Sequence, residues 1–302
     1  MKIVRTPDER FADLPGFPFA PHYADIDDLD GGSLRVHFLD EGPADGPVAL
    51  LMHGEPSWAF LYRHMIPTLV DAGIRCIAPD LVGFGRSDKP TEQADYTYAR
   101  HVSWMRQLLF GHLDLRDITF FGQDWGGLVG LRLVAAEPDR YRGVVVANTG
   151  MPTGEKPPTE AFLGWQRFAA TTEDFPVGWI INGGCATDLA PDVVAGYDAP
   201  FPDDSFKAGA RVFPSLVPTS TDDPASADNI AAWKALEAST VPFVLAFSDA
   251  DPITKGGHRA FEHLPGAQGQ PHTTIEGGGH FLQEDCGVEC AAVVRDLIER
   301  TK

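Results

Sequence analysis

Three residues of this 302-residue chain combine the types and spacing for a two-step nucleophilic displacement: Asp124, Asp251 and His280. Asp124 stands in Phe120-Phe121-Gly122-Gln123-Asp124-Trp125-Gly126-Gly127, where an apolar run ends in Gly-x-Asp-x-Gly-Gly and a helical pattern follows at once. Small residues around a polar one permit a sharp strand-to-helix turn, with the polar side chain at its apex beyond the carboxyl end of a sheet. The apex of such a turn is usually Ser; here it is Asp. Taken alone, Asp124 also fits a helix N-cap, a position Asp favours. Asp251 lies in Ser248-Asp249-Ala250-Asp251-Pro252, just beyond an apolar run, and His280 in Glu276-Gly277-Gly278-Gly279-His280-Phe281. Asp249 competes as the acid; Asp251 is preferred because Asp-Pro ends the turn there. The chain order nucleophile, acid, base, with each at a strand end, is a specific combination.

A carboxylate, with an unperturbed pKa of about 3.9, is already an anion at neutral pH and needs no base to attack carbon. Displacement at an sp3 carbon would leave an ester, whose carbonyl carbon water can attack; a serine would leave an ether, which water could not hydrolyse here. His280 would then activate the water, and Asp251 would orient and stabilise the imidazolium. The tetrahedral oxyanion calls for backbone donors. His53-Gly54-Glu55-Pro56-Ser57-Trp58 follows an apolar run and makes the Glu55 and Trp125 N–H groups the candidates. His53 reads as a hydrogen-bonded turn residue, and Glu55 as a backbone donor before a second carboxylate. This chemistry requires no metal and no organic cofactor. Gly83-Phe84-Gly85 lacks the remaining glycines and the Lys of a phosphate loop and reads as a tight loop after a strand.

Short β-rich apolar runs at 34–39, 48–52, 75–79, 118–121, 144–147, 241–247 and 273–275 alternate with amphipathic segments at 98–113, 127–136 and 286–299. Such alternation predicts an α/β fold, a mainly parallel sheet flanked by helices. Between about 150 and 240 the alternation stops. That stretch is rich in Pro, has helical pieces such as 161–170 and no clear strand, and is too long for a loop in a compact domain. It reads as an inserted helical cap, 151–227, on a core built from 1–150 and 228–302.

Composition narrows the partners. With 24 Lys plus Arg against 43 Asp plus Glu, the formal net charge is -19, which repels nucleic acid and anionic membranes. The acids are scattered, so they read as a solvated shell rather than a cleft for cations. The N-terminal MKIVRTPDERF has no apolar h-region, and no run reaches the roughly 18 apolar residues of a membrane span. The four cysteines, Cys76, Cys185, Cys286 and Cys290, form no disulfide framework and no CxxC; Cys286 and Cys290 sit one helical turn apart, but nothing completes a metal site. A reducing cytoplasm fits.

Over nearly its whole length the chain resembles the haloalkane dehalogenases of the α/β-hydrolase superfamily. The resemblance rests on HGEPSW (53–58), APDLVGFGRSDKP (78–90), GQDWGG (122–127), YDAPFPDDSF (197–206), DADP (249–252) and GGGHFLQED (277–285). The Asp-Trp pair and the YDAPFPD stretch are the more specific pieces. The resemblance implies hydrolysis of a haloalkane to a primary alcohol, halide and a proton through an alkyl ester of Asp124, with His280 as base and Asp251 as acid. It implies that Trp125 holds the leaving halide through its indole N–H and that the cap supplies a second donor. Trp165 fits that place best and Trp179 is the runner-up, although either could pack in the core. Three glycines before His280 are more than the family pattern usually has. An epoxide hydrolase, the nearest alternative, shares the nucleophile but protonates its substrate with cap tyrosines, usually a pair; the cap offers only Tyr197. A fluoroacetate-type enzyme would want an Arg where Trp125 stands. A non-catalytic binding protein would not need the triad. The expected partners are a small halogenated alkane and halide; a monomer is expected, with oligomers left open.

Overall fold

A computed structural model describes all 302 residues. One eight-stranded sheet organises the molecule: β1 (His22–Asp27), β2 (Ser33–Glu41), β3 (Val48–Met52), β4 (Arg75–Pro79), β5 (Ile118–Gln123), β6 (Tyr141–Ala147), β7 (Phe243–Ser248) and β8 (Thr273–Ile275). Across the sheet the order is β1-β2-β4-β3-β5-β6-β7-β8. Only β2 runs against its neighbours; all other pairs from β4 to β8 are parallel. Central strands are covered on both faces and are therefore apolar throughout. Every residue of β5 is buried.

Helices cover the sheet in two groups. One is α1 (Met65–Asp71) packed on the C-terminal α10 (Gly287–Arg300); the other is α3 (Asp124–Ala136), which packs on both α2 (Tyr98–Arg106) and α8 (Ser226–Glu237). Both α3 and α10 pack on β5 and β6, and they make no extensive contact with each other, so they lie on opposite faces. The buried face of α10, Cys290, Ala291, Val294, Leu297 and Ile298, has the three-and-four spacing of an amphipathic helix.

No strand lies between β6 and β7. That stretch holds α4 (Glu160–Thr171), α5 (Val177–Gly184), α6 (Pro191–Asp198), α7 (Ala208–Val212) and then α8. α5 packs on α6, and α4 on α7. The helical segment expected at 98–113 is α2 followed by a wider π-helical turn, Gln107–His112, which contains Gly111. Gln107 there exchanges hydrogen bonds with the backbone of Asp27 in β1. α9 (Leu282–Asp285) and α10 close the chain directly after His280. No helix is long and apolar enough to cross a membrane.

Candidate active site

The turn from β5 into α3 presents Asp124 beyond the carboxyl end of the sheet. Asp124 has φ +49°, a left-handed conformation that costs a non-glycine residue roughly 1–2 kcal/mol. The neighbours over-determine it. Its N–H donates to Asn148 O (3.0 Å), and Thr149 Oγ1 donates to its carbonyl (2.6 Å). Gly126 is required by close approach: a Cβ there would lie 1.9 Å from the Met52 carbonyl oxygen. The turn is thus wedged against the end of β3. Asp124 opens α3 without acting as its cap, since the N-cap position is Gln123 and the Asp124 carboxylate accepts from a different segment.

That donor is the Glu55 N–H, 2.7 Å from Asp124 Oδ1. The loop after β3 is held by His53, whose Nδ1 lies 2.8 Å from Gly54 O and whose Nε2 accepts from Leu81 N–H (2.9 Å). His53 is therefore a turn residue. The Glu55 side chain is only 4% exposed, and its Oε1 has no protein partner. Burial, and then the charge of Asp124, push this carboxyl well above the usual range, against smaller pulls from His280 and the Trp165 indole. That direction works against a second anion beside Asp124.

His280 and Asp251 converge on the other oxygen of Asp124 from the loops after β8 and β7. His280 Nε2 is 3.6 Å from Asp124 Oδ2, and its Nδ1 is 3.0 Å from Asp251 Oδ2. Asp251 also accepts from Ile253 N–H (2.8 Å), Thr254 N–H (3.2 Å) and the Thr254 hydroxyl. Burial opposes its charge, but His280 and these donors hold its carboxyl below the usual range. Burial likewise opposes a proton on His280; the two carboxylates outweigh it and raise the pKa to about 10. Asp249, the competing acid, instead accepts from Gly277 N–H (2.9 Å) and holds the turn before His280.

Asp124 and His280 line a cavity of about 1410 Å³ between the sheet and the helical insertion. Trp125 and Trp165 line it too. Trp125 is buried, edge-on to Tyr98 (5.0 Å between centroids) and against Phe213 (4.7 Å). Trp165, on α4, is partly buried and stacks on Phe168. Trp179, on α5, also lines the cavity but is 63% exposed, a wet position for binding a halide. Tyr197 is outside the lining, with its hydroxyl donating to Glu284. No cluster of three or more His, Cys, Asp or Glu side chains could hold a metal ion, and all four cysteines are free thiols.

Comparison with known proteins gives the fold and the family. The family model described as "alpha/beta hydrolase fold" matches residues 47–285. A haloalkane dehalogenase of Psychrobacter cryohalolentis is 56% identical over 299 residues, which cover 99% of this chain and 98% of that protein. One of Mycobacterium marinum is 51% identical, covering 96% of this chain and 98% of that one. The chain belongs to the haloalkane dehalogenase family. Among solved structures, a haloalkane dehalogenase of Paraglaciecola agarilytica NO2, described as tetrameric, superposes on this dehalogenase with a TM-score of 0.90 at 37% identity and covers 97% of both chains.

Sequence reasoning missed several residues that hold the candidate site together. Asn148, at the end of β6, donates through Nδ2 to Ser248 Oγ (2.7 Å), Gly279 O (2.9 Å) and His280 O (3.2 Å), so it ties the ends of β6 and β7 to the histidine loop. Gln123 is buried and donates to His280 O (3.1 Å). Its position beside Asp124 was the only sequence signal for it. Asn148 carried none, because its side-chain partners lie 100 or more residues away.

Proposed function

We propose that the protein hydrolyses haloalkanes to a primary alcohol, halide and a proton through a covalent alkyl ester of Asp124. The observation that supports this best is the position of the Asp124 carboxylate between two groups with different tasks. One oxygen receives the Glu55 amide, and the other faces His280 with Asp251 behind it.

In the first step Asp124 Oδ2 attacks the halogen-bearing carbon, an oxygen–carbon bond forms, and the carbon–halogen bond breaks with its electron pair leaving on the halide. The indole N–H groups of Trp125 and Trp165 receive that developing charge in an apolar cavity. Esterification removes the charge of Asp124, one of the two carboxylates that hold the proton on His280. The histidine's pKa then falls, its proton leaves to solvent as the proton of the overall reaction, and it becomes a base at the stage that needs one. In the second step water adds to the ester carbonyl carbon and gives its proton to His280, with Asp251 stabilising the imidazolium. The oxyanion on Oδ1 is met by the amides of Glu55 and Trp125, the latter among the first-turn N–H groups of α3 that have no intrahelical acceptor. Collapse breaks the bond between the carbonyl carbon and the alkoxy oxygen, which takes the proton from the His280 imidazolium and leaves as the alcohol, while the proton on the regenerated Asp124 carboxyl passes to His280. Each step uses side chains, backbone amides and water of the chain's own site.

Residues 151–227 act in this scheme as a cap that brings Trp165 over a core of 1–150 and 228–302. The epoxide-hydrolase alternative loses support, because the only cap tyrosine directs its hydroxyl to Glu284 and away from the cavity. Halide release from 1,2-dibromoethane or 1-bromobutane, with one alcohol formed per bromide, tests the activity. Asp124→Ala should abolish it in a folded protein. Substantial turnover by that folded variant would remove Asp124 from the mechanism.

A further inference from the structure

The loop carrying His280 is docked on the helical insertion through three contacts. The backbone N–H groups of His280 (2.7 Å) and Phe281 (3.4 Å) both donate to Gly184 O, at the end of α5. Gly279 lies so close to the same turn that a Cβ would be 2.5 Å from Gly184 O and 2.7 Å from Ala186 N. The third contact is the Asp285 carboxylate. Its Oδ2 accepts from Gly279 N–H and Ala186 N–H, both at 2.8 Å. Its Oδ1 accepts from Thr187 N–H (3.0 Å) and the Thr187 hydroxyl (2.6 Å). One carboxylate thus joins the residue before the histidine to the two residues that follow the α5 turn.

The neighbouring Glu284 makes a separate link. It accepts a bidentate pair from Arg63 and the hydroxyl of Tyr197, on α6. Trp58 Nε1 adds a bond to Gly196 O in the same helix (3.1 Å). The α6 side of the insertion therefore stays anchored whatever happens at position 285. Asp285 itself does not line the cavity.

We propose that Asp285 is a positioning residue that locks the α5 turn to the histidine loop, and so governs hydrolysis of the Asp124 ester but not its formation. The proposal rests on the two-step reading above. Ester formation uses Asp124, which is fixed by Glu55, Asn148 and Thr149, none of them bonded to Asp285. Ester hydrolysis requires Nε2 of His280 to face the carbonyl carbon through one water, and Asp285 fixes the backbone immediately before that histidine. Charge-assisted acceptance from four donors makes the carboxylate hard to replace. An asparagine keeps the volume, but its NH2 meets N–H donors in either orientation: Gly279 and Ala186 on one side, Thr187 on the other.

The test is rapid mixing with 1,2-dibromoethane, with halide release giving the rate of ester formation and quenched-protein mass giving its decay. Asp285→Asn should form the ester within about threefold of the wild-type rate and lose it at least tenfold more slowly. Gly279→Ala, which forces the α5 turn off the histidine loop by a different route, should show the same selective delay and decides the matter if Asp285→Asn does not fold. Equal slowing of both steps, as general damage would give, overturns the proposal; so does ester decay at the wild-type rate in a folded variant. His280→Phe is the reference. If it accumulates no ester, the two-step reading itself fails. If it does and Asp285→Asn turns over normally, only the role of Asp285 fails.

Discussion

Asp251→Asn is the substitution whose effect follows most directly from the geometry. The side chain keeps its shape but loses its charge, 3.0 Å from His280 Nδ1. Of the groups that raise the His280 pKa, the charge of Asp251 is the largest, and both residues are buried. The amide must also face the N–H groups of Ile253 and Thr254 that now point at a carboxylate. Removing one partner of a buried charged pair costs roughly 3–5 kcal/mol. The cost falls on the step in which His280 takes a proton, and at about 1.36 kcal/mol per tenfold it slows ester hydrolysis roughly 10²- to 5 × 10³-fold. Ester formation, which asks no proton of His280, should change much less. Asp249→Asn provides the contrast. Its bond to Gly277 N–H is a turn contact, worth about 0.5–1.5 kcal/mol of stability and nothing at the reacting atoms. Stopped-flow halide release should give a burst followed by a slow phase for Asp251→Asn, and near wild-type turnover for Asp249→Asn. A steady-state rate for Asp251→Asn within tenfold of wild type, or a larger loss for Asp249→Asn, would refute the assignment.

Trp165→Phe removes one N–H and keeps a ring, so halide affinity and carbon–halogen cleavage should fall by about 1–3 kcal/mol, a hydrogen bond to a charged group; Trp179→Phe, at an exposed position, should leave halide titration by tryptophan fluorescence unchanged, and the reverse pattern would make Trp179 the second donor. The fold raises the His280 pKa from 6.5 to about 10, so the folded protein holds this proton more tightly than the unfolded chain. Its stabilising contribution is complete below about pH 6.5 and is lost as pH rises through about 10. Urea denaturation should accordingly show the stability gap between wild type and His280→Phe narrowing from about pH 6 to about pH 10, and a gap that widens would contradict the ion-pair geometry.

The parts legible in the sequence are those with strong local causes. β3, β4 and β8 carry the bounds that their apolar runs predict. The β5–α3 turn announces itself through Gly122, Gly126 and Gly127, because only small residues fit against Phe120, Met52 and Thr149 respectively. β1 was missed: in His-Tyr-Ala-Asp-Ile-Asp only Ala24 and Ile26 face the core, as befits a half-exposed antiparallel strand at the edge. The crossover that seats β3 between β4 and β5 has no local signature either. Around the site, the sequence offered candidate side chains but not the contacts that hold them. Asn148, Gln123 and, through Ala186 and Thr187, Asp285 act on the backbone of residues far along the chain, so their role exists only after folding. The third glycine before His280, unexplained by residue type, is accounted for by the α5 turn that passes against it.

The central claim is a covalent ester on Asp124 whose formation needs no base and whose hydrolysis does. Single-turnover reaction of His280→Phe with 1-bromobutane, followed by intact-protein and peptide mass analysis, tests it most directly. The account predicts a burst of one bromide per active site, then arrest, with one butyl group added on the peptide containing Asp124. Continued multiple turnover, or a folded variant that binds substrate and gains no mass, would contradict it.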